Sequence, residues 1–456
     1  MALSNPFSIN NIHLLFCSAL LFFLCYLNGA YVYAAKQPAG PYHEVNVNSL
    51  LPDPNCTAAS THGSKFGSQK LKVTYRYGAC SPISPGKEIL GSGQILLRDS
   101  LRVRSKNHRK NPKPHTNGPS IGGGDYLVTI GFGTPKQDRT VVIDTGSDIT
   151  WVQCKPCSKK CYHQKEPLFD PSKSTSYSSG SCKSSEQNYY NMTYADESYS
   201  NGLYGCDTLT FEPSVVVNKF QFGCGQKSSS GFGGAAGLLG LGQGDLSFVS
   251  QTASQFGKVF SYCLPPKDGQ IGYLLFGDEA RSSSSSSSLK FTPLLKVEDP
   301  SLYSVKLVGM TVGSKRLNIP AYTFSSPGTI MDSGTVITRL PKLAYQELQS
   351  AFQEWMSKYP PAPRKGILNT CYNLKGYEKV TYPAIVFHFG GGTDVNLDQS
   401  GIIWVERKTQ VVCLAFAAKE ENDHWNIIGN HQQKALNLFY DIQGGRLGFG
   451  TQGCNK

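Results

Sequence analysis

Two short stretches of this chain carry an acid in a setting that suits chemistry. Val141-Val-Ile-Asp144-Thr145-Gly146-Ser147 runs an apolar triplet into an aspartate, then a hydroxyl residue, a glycine and a second hydroxyl residue. Thr329-Ile-Met-Asp332-Ser333-Gly334-Thr335 repeats the order. Either alone reads equally well as an Asx-type loop, in which the Asp bonds nearby backbone amides. The downstream spacing argues against coincidence. Asp144 is followed 96 residues later by Gly240, in Gly237-Leu-Leu-Gly240, and Asp332 is followed 97 residues later by Gly429, in Ile427-Ile-Gly429. The chain holds one design twice.

Proton bookkeeping says what two such turns could do together. Two carboxylates at contact distance do not both ionise easily, so they share a proton and titrate as a pair. The charged member can act as general base on a water held between them, while the protonated member polarises a peptide carbonyl. The glycines let backbone N–H groups approach each acid. Ser147 and Thr335, three residues past each Asp, are placed to bond the outer carboxylate oxygens. No metal or other cofactor is needed. Serine- and metal-hydrolase patterns find no support, since neither Gly-x-Ser-x-Gly nor His-Glu-x-x-His occurs and the nine histidines are scattered.

The elements that must position these acids are mostly β. From Asp125 onward, short apolar runs such as Val141–Ile143, Thr208–Phe211, Tyr273–Phe276 and Val411–Phe416 alternate with Gly, Ser, Asn and Pro. Leu343–Lys358 has helical apolar spacing at 344, 348, 351, 352 and 355, with Pro341 just ahead of it. Asp245–Phe256 is a weaker helical candidate, and the serines at 282–288 read as a flexible seam near a lobe junction.

At 456 residues the chain suits two lobes plus processing segments. The formal charge of +12 is uneven: residues 1–119 hold 13 Lys/Arg against 4 Asp/Glu, a net +9, and the remainder only +3. A nucleic-acid reading is therefore weak for the main body. Residues 13–27 are an apolar run too short for a comfortable membrane span. They lead into Val32-Tyr-Ala34-Ala35, which predicts a signal peptide over 1–35 despite an amino-terminal region without Lys or Arg. A retained membrane anchor is the alternative. A leader follows over 36–119, then an amino-terminal lobe over 120–290 and a carboxy-terminal lobe over 291–456. Within the leader, Leu71–Tyr77 alternates like an edge strand and Arg98–Lys106 forms a basic, helix-compatible run. Ten cysteines beyond residue 119 point to disulfides in a secreted chain; a zinc or redox role for Cys154-Lys-Pro-Cys157 lacks a second half-site. The sequons Asn55-Cys-Thr and Asn191-Met-Thr allow glycosylation.

With the two acid turns go Phe222-Gly-Cys-Gly225, Ala236-Gly-Leu-Leu-Gly-Leu-Gly242, Phe260-Ser-Tyr-Cys263, Ile428-Gly-Asn430 and the run Asp332 to Pro341. Together they make residues 121–454 resemble a pepsin-type aspartic endopeptidase, most closely the plant nepenthesin-like branch. That branch includes a chloroplast-nucleoid DNA-binding protease, and Val73–Cys80 resembles its prosegments. The resemblance implies a bilobal double β-barrel with the active-site cleft between two related lobes. It implies Asp144 and Asp332 as the catalytic dyad, with Thr145 and Ser333 tying the turns together. It also implies Tyr194 on a mobile hairpin flap, hydrogen-bonded by Trp151. Ala195 departs from the Tyr-Gly-Asp usual at that flap, and the segment before it looks short and lacks its usual cysteines.

By the same resemblance Cys263 pairs with Cys454 and Cys371 with Cys413, while Cys154, Cys157, Cys161 and Cys224 pair among themselves. Cys182 and Cys206 are expected to replace the usual local bridge. The expected partners are protein or peptide substrates and the chain's own basic leader as an inhibitory prosegment, with no nucleic acid or membrane for the mature form and a monomeric state. The expected location is secreted, in the apoplast, with chloroplast or vacuole as alternatives. A non-catalytic inhibitor or binding protein of the same fold is the rival function; plant xylanase-inhibitor-like proteins of this kind carry damaged acid motifs, and both are intact here.

Overall fold

The computed structural model describes residues 40–57, 70–83, 91–106, 126–157, 160–182, 188–193, 199–212, 215–229, 232–285, 289–325, 327–406, 409–421, 423–451 and 454. The expected signal peptide and residues 107–119 of the expected leader lie outside them. The architecture is mostly β, as its alternating runs require. The two acids sit at the ends of buried strands that follow one topological plan. Gln137–Asp144 pairs antiparallel with Tyr126–Phe132 and parallel with Gly237–Gly240, in a register that sets Asp144 opposite Gly240. In the second copy Thr329–Asp332 runs parallel to Asn426–Gly429, with Asp332 opposite Gly429. The glycines found by spacing are thus the strand partners of the acids.

Continuous apolar runs make these strands, because a parallel strand buried on both faces has no polar side to show. Val141, Val142, Ile143, Leu238, Leu239 and Ile330 are fully covered. Gly237 permits the crossing with the next strand: a Cβ there would lie 1.9 Å from the Trp151 carbonyl oxygen. Trp151–Gln153 fills the same role in the first copy that Thr338–Leu340 fills in the second, each pairing back onto the glycine strand.

A sheet of strands from both halves underlies the acids. Val259–Cys263 pairs with Asn437–Asp441, and Lys290–Leu295 pairs with Arg446–Gly450. Phe260 stacks on Tyr440 at 4.4 Å, with Tyr303 edge-on at 4.6 Å. The expected helix forms over Lys342–Met356 and buries Ala344, Tyr345, Leu348, Ala351, Phe352 and Met356. The weaker candidate becomes two single turns, Phe248–Gln251 and Ala253–Phe256. Ser282–Ser285 continue a helix begun at Gly277, so this part of the serine run is ordered structure, not a loop; residues 286–288 lie outside the description.

The leading segment departs from one expectation. Leu71–Tyr75 is not an edge strand: it pairs on one side with Tyr126–Leu127 and on the other with Ile271–Leu274. Its alternation is broken at Thr74, and Leu71, Val73, Thr74 and Tyr75 are all buried, as an interior position demands. Tyr42–Asn46 pairs with Lys379–Pro383, and Ser92–Lys106 forms a helix, here α1. Among the described residues six disulfides are present: Cys56–Cys80, Cys154–Cys224, Cys157–Cys161, Cys182–Cys206, Cys263–Cys454 and Cys371–Cys413.

Candidate active site

The structure brings Asp144 and Asp332 together, and both are fully buried. Each turn satisfies its own acid in the same way. Gly146 N donates to Asp144 Oδ1 at 3.0 Å and Ser147 Oγ to Oδ2 at 2.7 Å. In the partner turn, Gly334 N donates to Asp332 Oδ1 at 2.9 Å and Thr335 Oγ1 to Oδ2 at 2.6 Å. The outer oxygens are fixed by hydroxyls, so the inner oxygens face the shared space. Such charge-assisted bonds hold a carboxylate more firmly than neutral ones do.

The turns also hold each other. Thr145 N donates to Ser333 Oγ at 3.0 Å and Ser333 N to Thr145 Oγ1 at 2.9 Å. The hydroxyls pass on their own protons, Thr145 Oγ1 to the Met331 carbonyl and Ser333 Oγ to the Ile143 carbonyl. Asn430 Nδ2 adds a bond to the Ser333 carbonyl at 3.0 Å. Asp148, next after Ser147, accepts from Gly244 N and from Ser301 Oγ, anchoring the first turn to the start of the second half. Beneath lie Tyr262 and Tyr440, hydroxyls 3.1 Å apart. Burial pushes both phenols up, which keeps them neutral beside the acids.

Between the inner oxygens sits a cation. Arg102 of α1 places Nη2 2.9 Å from Asp144 Oδ1 and 3.3 Å from Asp332 Oδ1. Gly334 makes room for it, since a Cβ there would lie 2.2 Å from Arg102 Nη2. One turn earlier, Asp99 accepts from Val336 N at 2.6 Å, Ile337 N at 3.2 Å and Arg339 Nη2 at 2.7 Å. Sequence reasoning expected the basic leader as a whole to inhibit and singled out neither Arg102 nor Asp99. The available signal was one acid and one arginine three residues apart on a single helical face.

Two profiles described as Xylanase inhibitor N-terminal and Xylanase inhibitor C-terminal match residues 126–278 and 302–451. An aspartyl protease family protein of Arabidopsis thaliana is 41% identical over 447 residues, covering 91% of this chain and 93% of the relative. The chain belongs to the plant pepsin-like aspartic proteases. These are aspartic-type endopeptidases, and similarity to the aspartic proteinase nepenthesin-2 of Nepenthes gracilis, 32% over 434 residues (90% of this chain, 96% of the relative), fits the nepenthesin-like branch. The crystal structure of edgp shares the fold, with a TM-score of 0.55 at 18% identity over 74% of this chain and 96% of that one.

In this aspartic protease the hairpin Tyr189–Thr193 against Tyr199–Leu203 is described to its last pair, Thr193 opposite Tyr199. Its tip lies outside the described residues, and with it Tyr194 and Ala195. Trp151 is fully buried, with the Phe232 ring edge-on at 4.7 Å. Asn55 and Asn191 are both exposed. Cys182–Cys206 ties Ser178–Ser179 and the segment after it to the long strand Tyr199–Glu212.

The reciprocal bonds give a direct test. Thr145→Val removes the acceptor of Ser333 N inside a dry interface, which costs about 1–3 kcal/mol. Denaturant unfolding is expected to show that loss, and an unchanged midpoint would contradict the assigned link.

Proposed function

We propose that the chain is the secreted zymogen of an aspartic endopeptidase, in which Asp144 and Asp332 activate one water to hydrolyse peptide bonds. The observation that carries this reading is the Arg102 guanidinium lying between the two inner oxygens, where that water would have to sit. In the working enzyme the ionised member of the pair takes a proton from the water. The protonated member hydrogen-bonds the scissile carbonyl, and its proton follows the developing charge. Ser147 and Thr335 keep the outer oxygens occupied, so only the inner pair is open to substrate. Tyr194 on the hairpin tip would close over the peptide. The mature enzyme is expected to act as a monomer, without nucleic acid.

Residues 36–119 serve in this reading as an inhibitory prosegment. Arg102 sets one positive charge between two acids that would otherwise face only each other, and Arg104 pairs with Glu420 at 2.7 Å. The anchoring is not all basic: Asp99 meets Arg339, and Glu44 meets Lys379. Ile95 and Leu96 pack with Trp404, whose ring lies 5.5 Å from His431. Leu50, Tyr75 and Ile95 wall a cavity of about 130 Å³ that His431 also lines. Burial, with Lys434 nearby, holds the His431 imidazole well below its usual range. Burial likewise lowers His43, against an opposing pull from Asp398. A neutral histidine favoured by the covered state stabilises it above about pH 6.5 and withdraws that support as pH falls below. Acid therefore weakens the carboxylate pairs and the histidine contacts together.

Three outcomes test the proposal. Acid-treated protein should cleave a denatured protein substrate, and Asp144→Ala should lower that rate at least ~100-fold; equal activity would favour a non-catalytic protein of this fold. Arg102→Gln should raise cleavage by the unprocessed chain near neutral pH by ~10-fold or more, the scale of a charge-assisted bond. A wild-type proform already fully active at neutral pH would refute inhibition. His431→Gln keeps a donor for the Ile403 carbonyl but cannot gain charge, so its activation midpoint should move to lower pH in a pH titration of processing.

A further inference from the structure

A second set of reactive side chains lies on a sheet that holds neither acid. Leu307–Val312, Lys315–Arg316, Ile385–Phe389 and Thr393–Asn396 form a four-stranded sheet of their own. Its inner face packs through Met310, Phe387 and Val395, all buried in the core. Strand alternation turns Thr311, His388 and Asp394 to the outer face. Asp394 pairs directly opposite His388, and His388 sits opposite Gly309, two residues before Thr311.

The three side chains are joined in series. His388 Nδ1 lies 2.6 Å from Asp394 Oδ1, and His388 Nε2 lies 2.7 Å from Thr311 Oγ1. An ionised carboxylate only accepts, so Nδ1 carries the ring proton. Nε2 of the neutral ring then offers a lone pair, and the Thr311 hydroxyl donates to it. This order of carboxylate, imidazole and hydroxyl is the one by which a base activates a nucleophile. Sheet stability does not call for it: the Asp394 side chain is 58% exposed, and exposed ion pairs add little. What the bonds do is fix one tautomer and one ring orientation. His388 is buried and Thr311 is partly exposed, so the base is sheltered while the hydroxyl meets solvent.

A cation completes the face. Arg316 pairs opposite Thr311, and its guanidinium leans over Gly309, where a Cβ would lie 3.0 Å from Nη2. The glycine therefore leaves room for a guanidinium beside the hydroxyl and the imidazole, placed to meet a developing negative oxygen. We infer that Thr311 is the nucleophile of a second hydrolytic site, one that takes short-chain carboxylic esters. His388 Nε2 removes the hydroxyl proton as Thr311 Oγ1 adds to the ester carbonyl carbon, and Arg316 faces the resulting oxyanion. Collapse breaks the bond to the alcohol oxygen, and the alcohol leaves with the proton from His388. Water then adds to the acyl carbon of acyl-Thr311 while His388 takes one of its protons. Thr311 Oγ1 departs, recovers that proton, and the carboxylic acid is released. An open sheet face suits small esters, whose leaving group also asks less of a hydroxyl than a peptide bond does.

The test uses the full, unprocessed chain with p-nitrophenyl acetate at pH about 8, where an ordinary His is neutral. Release of p-nitrophenol above the buffer rate is followed alongside mass spectra of acid-quenched protein. An acetyl group on Thr311 is expected, with release continuing beyond one equivalent per chain. His388→Gln should lower acetylation of Thr311 ~100-fold, the scale of a general base. Asp394 touches no substrate and acts by positioning the ring, so Asp394→Asn should lower acetylation ~10-fold and Asp394→Glu should restore most of it. Thr311→Ser should keep the adduct at that position and Thr311→Val should lose it. The wild-type adduct decides the matter even if a variant does not fold. Acetylation confined to lysines, equal labelling of Thr311 in wild type and His388→Gln, or release that stops at one equivalent overturns the site. None of these outcomes bears on the protease reading.

Discussion

The constraint on which the structure depends is that two buried carboxylates must face each other at the ends of strands from different halves of the chain. Like charges in a dry site repel strongly. Nothing in a single strand-and-turn unit could hold them there. The reciprocal bonds between Thr145 and Ser333 do so by using the two turns as each other's hydrogen-bond partners. The amides and hydroxyls of Thr145 and Ser333 are satisfied only when both halves are in place, so the geometry is shared by the pair. The parallel register of each acid with a glycine, Gly240 or Gly429, fixes the same geometry from behind.

The leading segment meets that constraint with opposite charge. Arg102 enters where the carboxylates converge, and its helix is held one turn earlier by Asp99 on Arg339. The two ion pairs have reversed polarity, with the helix giving a cation to the acids and an anion to the arginine. This arrangement fixes helix register more strictly than a uniformly basic helix would, since a slip of one residue loses both pairs. Contacts of that kind are worth more for specificity than for net stability, because burying each charge costs much of what pairing returns.

Family membership and the profiles' inhibitor descriptions pull in different directions until the acids are considered. A fold can host binding or catalysis, and the site must decide between them. Here both turns keep their Asp, glycine and hydroxyl residues, and each residue makes the bond that its type allows. A scaffold kept only for binding has no need of two mutually braced carboxylates whose inner oxygens converge on one point.

By itself the sequence determined the β class, the doubled acid turns and their glycine partners. Those features are local patterns with fixed spacing, and local patterns survive in one dimension. Alternation, helical period over Leu343–Lys358 and the order of turn residues were equally legible for that reason. The sequence did not tell that Leu71–Tyr75 lies inside a sheet, because pairing on both sides is a property of its neighbours, Tyr126–Leu127 and Ile271–Leu274. Nor did it separate Arg102 from the other basic residues of the leader. Only tertiary structure decides which of several like charges reaches a buried carboxylate pair, since that depends on the face α1 presents and on where Asp99 stops it. The acids were written in the chain; the cation between them was decided by the fold.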